Sequence, residues 1–326
     1  MTARRPEASP APLEGLRVCD VTQNLAGPFC GQILADLGAS VVKVEPPGGD
    51  LGRRWGPPFW GGDSTLFLSA NRGKRSIVLD LKADAGMDVL RRLMKTSDVF
   101  VQASRPDAAK RLEIDDASVR DVRPDVIHMT ISAYGADGPM RDQPGYDPLM
   151  QAYAGIMSVT GEPGGAPTRV GGSVVDFGTG MWAAIAILGA LRTRDRTGEG
   201  ARLESSLLDT SLAWVSYHIM GYLATGVAPG PMGSSLGSIA PYRAFATADG
   251  HIMIAAGNDA IFRRLCQALG LEELLSDERF LSNADRVANR DALDALVTAE
   301  TQRMRTEQLL SLARDHEVPA SAIHTI

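Results

Sequence analysis

The sequence predicts an α/β protein: a large domain built on a doubly wound parallel sheet, then a smaller α/β domain. Three observations carry this. From Leu16 to Ser132, short apolar segments alternate with helix-patterned ones, the order that builds a parallel sheet covered by helices. From residue 242 the pattern changes to a hairpin followed by three helical stretches. Between them, residues 224–241 are rich in Gly, Pro and Ser, the composition of a mobile connection. The expected organisation is a disordered tail over 1–12, a large domain over 13–210, a linker helix and glycine-rich loop over 211–241, and a small domain over 242–326.

Each element has a local reason. Leu16 to Val21 is an apolar strand. Gly27-Pro28 opens a helix through Phe29, Ile33, Leu34 and Leu37 that Gly38 closes. Ser40 to Glu45 is a second strand, stopped by Pro46-Pro47-Gly48-Gly49, so the first three elements form a βαβ unit. Residues 50–75 read as a long loop. Ser76 to Leu81 is a strand, and Ala83 to Thr96 is an amphipathic helix with Met87, Leu90, Leu93 and Met94 on one face. Asp98 to Gln102 and Asp125 to Ser132 are further strands. Thr197-Gly198-Glu199-Gly200 is a turn, Leu203 to Ser205 a short strand, and Leu207 to Leu223 a helix. In the second domain a hairpin (242–247 and 251–256, turning at Ala248-Asp249-Gly250) precedes helices over 259–269, 290–303 and 306–316, and a last strand begins near Pro319. The chain stops just after that strand, so a longer protein is expected.

Composition narrows the function classes. The 326 residues carry a net charge of −6, which argues against nucleic acid or an anionic membrane as the main partner. The three cysteines, Cys19, Cys30 and Cys266, show neither a disulfide framework nor metal-ligand spacing and suit a reducing cytoplasm. No secretory leader opens the chain, and no apolar run reaches membrane-spanning length.

The candidate chemistry centres on Ser173-Val174-Val175-Asp176-Phe177-Gly178-Thr179-Gly180. It reads as a short apolar strand delivering Asp176 into a glycine-rich turn, with Thr179 capping a helix from Met181 to Leu191 that is apolar all round and therefore buried. A carboxylate just before a helix N-terminus is kept ionised and can act as a nucleophile. The plainer use of such an acid is as a cap or turn residue. Other motifs carry less. The first βα turn, Leu25-Ala26-Gly27-Pro28-Phe29-Cys30-Gly31, lacks the dinucleotide fingerprint, although Glu45 stands where a ribose-binding acid would. Gly233-Ser234-Ser235-Leu236-Gly237 matches G-x-S-x-G without the strand and helix a nucleophile elbow needs; a glycine loop of this kind suits a lid. The five histidines show no metal-binding spacing, and no metal is expected. Lys43, Arg53, Arg54, Arg72, Lys74, Arg75, Arg105, Lys110 and Arg111 lie near strand ends, where they could gather around a polyanionic small molecule; the plainer reading makes half of them solvated surface charges.

With these residues in place, the chain resembles the class III CoA-transferases, which include formyl-CoA transferase, carnitine-CoA transferases and the α-methylacyl-CoA racemases. The likeness runs from about Leu13 to Ile326. It rests on Pro12-Leu13-Glu14-Gly15-Leu16-Arg17-Val18, Ala26-Gly27-Pro28, Val42-Lys43-Val44-Glu45, Asn71-Arg72-Gly73-Lys74-Arg75, Gly145-Tyr146-Asp147 with Gln151, Asp176 in its turn, and Arg196-Thr197-Gly198-Glu199-Gly200. The order of these motifs carries more than any one of them. The resemblance implies a Rossmann-like large domain, a small α/β domain and an interlocked homodimer. It implies acyl-CoA and a small carboxylic acid as substrates, with no tightly bound cofactor. Asp176 matches the aspartate that attacks the thioester. Leu25, Lys74, Arg75, Arg111 and Asp147, with Ala103 and Ser104 as backbone neighbours, match CoA contacts, and Gly233 and Gly237 match the glycine-rich flap beside the substrate. Two positions depart: Pro46 stands where many members carry Arg, and Ala103-Ser104 replace a common Asn–Phe pair. The family usually continues several tens of residues past Ile326.

The rivals are a racemase of 2-methylacyl-CoA and a non-catalytic CoA-binding subunit. Racemisation needs a proton carrier on each face of the carbon. Racemases of the family place a histidine before the aspartate of the G-H-D segment, where this chain has Tyr146 beside the thioester. A phenol ordinarily titrates near 10 and is a poor base at neutral pH. CoA transfer is therefore the expected activity.

Overall fold

A computed structural model describes residues 10–326, so most of the expected tail lies outside the described residues. The chain falls into two compact units: residues up to Met157 with Arg169–Pro229, and Ser158–Thr168 with Gly230–Ile326.

The first unit runs β1 (Arg17–Asp20), α1 (Ala26–Asp36), β2 (Ser40–Glu45), the hairpin β3 (Phe59–Trp60) and β4 (Asp63–Ser64), α2 (Thr65–Ser69), β5 (Arg75–Val78), α3 (Asp84–Thr96), β6 (Val99–Gln102), α4 (Pro106–Arg111), α5 (Asp116–Val122), β7 (Ile127–Ser132), α6 (Asp147–Tyr153), α7 (Val174–Thr197), β8 (Ala201–Ser206), α8 (Leu207–Trp214) and α9 (Ser216–Thr225). Six strands pair in the order β5-β2-β1-β6-β7-β8, every pair parallel. Counted by first appearance this is 3-2-1-4-5-6, the doubly wound order whose reversal between β1 and β6 marks the usual ligand crevice. The expected α/β class and parallel sheet are thus present. The loop expected over 50–75 carries a hairpin and a short helix instead of being irregular throughout.

The second unit holds the antiparallel sheet β11-β10-β9, from β9 (Tyr242–Ala246), β10 (His251–Ala255) and β11 (Ala320–Ala322), with α10 (Asp259–Leu269), α11 (Asn283–Ala288), α12 (Arg290–Thr301) and α13 (Thr306–Asp315). Phe245, Ile252, Ile254, Phe262, Leu265, Leu293 and Val297 form its core.

Four expectations change around α7. Ser173–Gly180 is not a strand and turn: α7 begins at Val174, and Thr179 lies inside it, donating from its hydroxyl to the Val175 carbonyl. The glycines that suggested a turn serve close packing. A Cβ on Gly180 would stand 2.6 Å from the Ala26 carbonyl oxygen of α1, and one on Gly178 would stand 2.7 Å from the Trp214 ring of α8. The helix is also not buried all round, since Met181, Trp182 and Ile185 are exposed. At 24 residues it is long and apolar enough to cross a membrane by composition alone, contrary to expectation, and half of that stretch is buried within the fold. The helix expected over 207–223 is two, α8 and α9, parted at Val215.

Gly180→Ala is expected to destabilise the fold by about 1–3 kcal/mol, because the added methyl overpacks the α1–α7 contact. Gly189→Ala, on an exposed helical position with open space at its Cβ, is expected to stabilise by roughly 0.5–1 kcal/mol. Urea denaturation of both variants measures this; a Gly180→Ala protein as stable as the parent would remove the close approach.

Candidate active site

Asp176 is the third residue of α7, in the first turn of the helix. The capping residue Ser173 makes no side-chain bond to that turn. The orphan N–H groups are instead met by another acid. Val175 N donates to Asp147 Oδ2 at 2.8 Å and Asp176 N donates to the same oxygen at 3.3 Å. Asp147 opens α6, and its other oxygen, Oδ1, accepts from Gln151 Nε2 one turn on, at 2.5 Å. Gln151 Oε1 accepts in turn from Val170 N at 2.9 Å, in the segment that leads into α7. Asp147 and Gln151 are fully buried, whereas Asp176 is half-buried.

This geometry reverses one electrostatic expectation. The dipole end that should keep Asp176 ionised is occupied by Asp147. Burial first, and the Asp147 charge second, push the Asp176 carboxyl up to about 7. Near neutral pH the group is shared between its acid and its nucleophilic anion.

Tyr146, the residue before Asp147, is 48% exposed and meets Trp55 edge-on with ring centroids 5.8 Å apart. His128, the histidine of the first sheet, is buried in β7, its Nε2 against the Ile114 carbonyl at 3.1 Å, and burial lowers its pKa. Among the described residues, no group of three His, Cys, Asp or Glu side chains could hold a metal ion.

The expected CoA contacts divide. Leu25 caps α1 just beyond β1, and Ala103 and Ser104 follow β6, so all three stand at the carboxyl ends of the strands where the order reverses. Arg111 is exposed at the end of α4; Arg75 is exposed on the edge strand β5, with a bond to Ser40 Oγ at 2.9 Å. Lys74 departs from the expectation. Its side chain is only 2% exposed, and its three donors go to Asp20 Oδ2 (2.9 Å), the Pro28 carbonyl (2.6 Å) and Asn71 Oδ1 (2.8 Å). An ammonium has no fourth donor for a phosphate. Asp147 is likewise closed off from solvent. Gly233 and Gly237 belong to the second unit. Gly233 N donates to the Gly161 carbonyl at 2.8 Å, and Arg290 Nη2 bonds the carbonyls of Leu236, Gly237 and Ile239 at 2.9, 3.0 and 3.0 Å. The glycine loop is therefore anchored, where composition suggested a mobile one.

Sequence reasoning missed the buried ion pairs beside the crevice. Lys43 bonds Asp50 at 2.7 Å with both side chains buried. Burial disfavours the Asp20 carboxylate, but Lys74 and Lys43 outweigh it and hold its pKa below the usual range. Glu45 is opposed by burial too, yet hydrogen bonds from Arg53 and Ser76 bring it to about 2. Glu45 is thus bound to Arg53 at 2.6 Å, not turned to a ribose. No periodicity announces these pairs, because their partners lie up to 54 residues apart.

An Asp176 pKa near 7 makes stability depend on pH. An ordinary aspartate titrates at 3.8, so between 3.8 and about 7 the folded chain holds the extra proton. Stability therefore falls as pH rises through that window, and the full penalty is present above about 7. At about 1.4 kcal/mol per unit, discounted for partial solvation, the penalty is on the order of a few kcal/mol. Asp176→Asn is expected to stabilise the fold at pH about 8 by at least roughly 1 kcal/mol more than at pH about 4.5. Denaturant midpoints at the two pH values test this, and equal gains at both would refute the raised pKa.

Comparison with known proteins gives the family. The model of CoA-transferase family III matches residues 13–326. The chain is 41% identical to a succinate–glutarate CoA-transferase of Agrobacterium fabrum, covering 97% of this chain and 80% of that one. It is 38% identical to an acetyl-CoA:oxalate CoA-transferase of Acetobacter aceti, covering 99% and 83%. A solved CAIB/BAIF family protein from Brucella suis superposes with a TM-score of 0.87 at 40% identity, over 97% of this chain and 85% of that one. Likeness of this extent, in sequence and in fold, makes the chain a member of CoA-transferase family III, an enzyme that moves coenzyme A between an acyl-CoA and a carboxylic acid.

Proposed function

We propose that this transferase works through Asp176 and takes short dicarboxylic acids as its substrates. The observation that carries the first part is an acid in the first turn of α7, half-buried and with a pKa near 7. Its anion attacks the thioester carbonyl, the C–S bond breaks, CoA thiolate leaves and a mixed anhydride forms. The thiolate then attacks the aspartyl carbonyl of the anhydride, releasing the donor acid and leaving an aspartyl-CoA thioester. The acceptor carboxylate attacks that thioester, expelling the thiolate and forming a second anhydride. Attack of the thiolate on the acceptor carbonyl gives the new acyl-CoA and restores Asp176. A carboxyl of raised pKa suits this cycle, since its anion is more basic than an ordinary aspartate.

The substrate class is supported by the relatives, one named for succinate and glutarate and another for oxalate. We place CoA across the ends of β1 and β6, along Ala103 and Ser104, with phosphates toward Arg111; Leu25 is only 2% exposed, and Arg75 opens β5 at the opposite, amino end of the sheet, bonded to Ser40. Arg111 supports this, having no ion-pair partner among the described residues. Lys74 acts from behind, holding Asp20 to the Pro28 carbonyl at the start of α1. The racemase reading is disfavoured because Tyr146, which stands where the family's racemases carry a histidine, packs on Trp55, and His128 is buried against a carbonyl.

Succinyl-CoA incubated with glutarate is expected to yield glutaryl-CoA, read by mass. Asp176→Ala should abolish transfer and Arg111→Glu should raise KM for the thioester. Exchange of the α-hydrogen of a 2-methylacyl-CoA in deuterated water, without transfer to any acid, would overturn the reading in favour of a racemase. CoA binding without either reaction would leave a non-catalytic subunit.

We also propose a homodimer, interlocked as the family resemblance implies, acting in the cytoplasm. Support comes from apolar side chains that one chain leaves in water: Trp182 and Ile185 on α7 at 46% and 55% exposure, and Leu223 on α9 at 69%. Helix α9 has no buried residue at all. Exposed apolar side chains of this kind suit an interface between copies of the chain. The three cysteines are free and buried, as a reducing compartment permits. Sedimentation equilibrium should give twice the chain mass, and Leu223→Glu with Ile185→Glu should weaken association; a monomeric parent would exclude the dimer.

A further inference from the structure

Asp147 stands apart from the surface residues that could meet CoA. It is 1% exposed, and both carboxylate oxygens are engaged, Oδ1 by Gln151 and Oδ2 by two N–H groups of α7. A ligand has neither access to it nor a free oxygen to bind. What Asp147 touches is the helix turn that presents Asp176. The Gln151 amide is oriented by its two partners, donating to the carboxylate and accepting from Val170 N, so the start of α6, the segment entering α7 and the first turn of α7 share one hydrogen-bonded chain. The local sequence does not replace this device, because Ser173 does not cap.

Other charged groups on the elements packed against α7 are occupied elsewhere. Asp209 on α8 takes the Ser206 hydroxyl, Glu204 on β8 takes Arg202, Asp36 on α1 takes Arg72, and His128 on β7 faces the Ile114 carbonyl. The buried Cys30 thiol of α1 is held in its neutral form by burial. Asp147 is the charge left to act on Asp176, as the direction of the Asp176 shift also indicates.

We infer that Asp147 is a positioning residue, fixing the Asp176 carboxylate by capping α7 from outside the helix and facing it with a like charge. The inference rests on the reading of Asp176 as the nucleophile. A residue acting this way alters the chemistry of Asp176 and leaves CoA binding alone.

The test has two arms. In the first, carboxyl carbon NMR follows the titration of Asp176, its signal assigned by its loss in Asp176→Asn. The midpoint is expected near 7 in the parent and lower in Asp147→Asn, which keeps an acceptor for the helix N–H groups and removes the charge. In the second, succinyl-CoA and glutarate are the substrates. The acid limb of kcat/KM should move to lower pH in Asp147→Asn. In Asp147→Ala, kcat should fall about 10- to 100-fold with KM for succinyl-CoA within about twofold, the signature of a misplaced reacting group. An unmoved titration midpoint in Asp147→Asn would overturn the inference, as would a raised KM with kcat preserved, which would make Asp147 a CoA contact. Full turnover by Asp176→Asn would instead sink the nucleophile reading, while the NMR arm would still decide whether Asp147 acts on Asp176.

Discussion

The structure of the first unit depends on how closely α7 lies against its neighbours. Gly180 lets the α7 backbone meet the Ala26 carbonyl of α1, and Gly178 lets it meet Trp214 of α8. A β-carbon at either site would force the helices apart. Because close-packed interiors do not yield smoothly, such contacts fix the height and rotation of a helix as well as its neighbours. With α7 so fixed, its first turn stands where Asp147 of α6 can reach two of its N–H groups, and Asp176 is presented at that turn.

Charge is distributed by the same economy of space. At the carboxyl ends of β1 and β2, Lys43, Lys74 and Arg53 are each matched to a carboxylate, and Lys43 and Lys74 are withdrawn from water. Removing one member of such a pair leaves an uncompensated buried charge, which is far costlier than the pair is stabilising. These residues therefore shape the crevice. An exposed cation such as Arg111, at the end of α4, is the kind free to answer a soluble polyanion. A count of basic residues along the chain cannot separate the two groups.

The two acids near the start of α7 illustrate how environment assigns roles to identical side chains. Asp147 accepts three hydrogen bonds and is closed to solvent; Asp176 accepts none of the helix donors, is half-open and has its proton held by burial and by its neighbour. Pairs of carboxyls whose surroundings separate their behaviour are a recurring means of running acid–base or nucleophilic chemistry near neutral pH.

By itself the sequence determined the α/β class, the parallel sheet, the hairpin and helices of the second unit, and the family. These follow from hydrophobic periodicity, turn residues and the order of local motifs, all written within a few residues of one another. It also brought forward Asp176 as the candidate nucleophile and, through the family resemblance, Asp147 as a CoA contact with Gln151 in the same motif. Only the tertiary structure decided that Val174 begins a helix instead of extending a strand, that Gly178 and Gly180 serve contacts instead of a turn, that Lys74 faces Asp20, and that the dipole end meant for Asp176 is taken by Asp147. Each of these is settled by a partner far away along the chain, beyond the reach of any local pattern, and local propensity gives way when packing and the desolvation of charge weigh several kcal/mol against tenths.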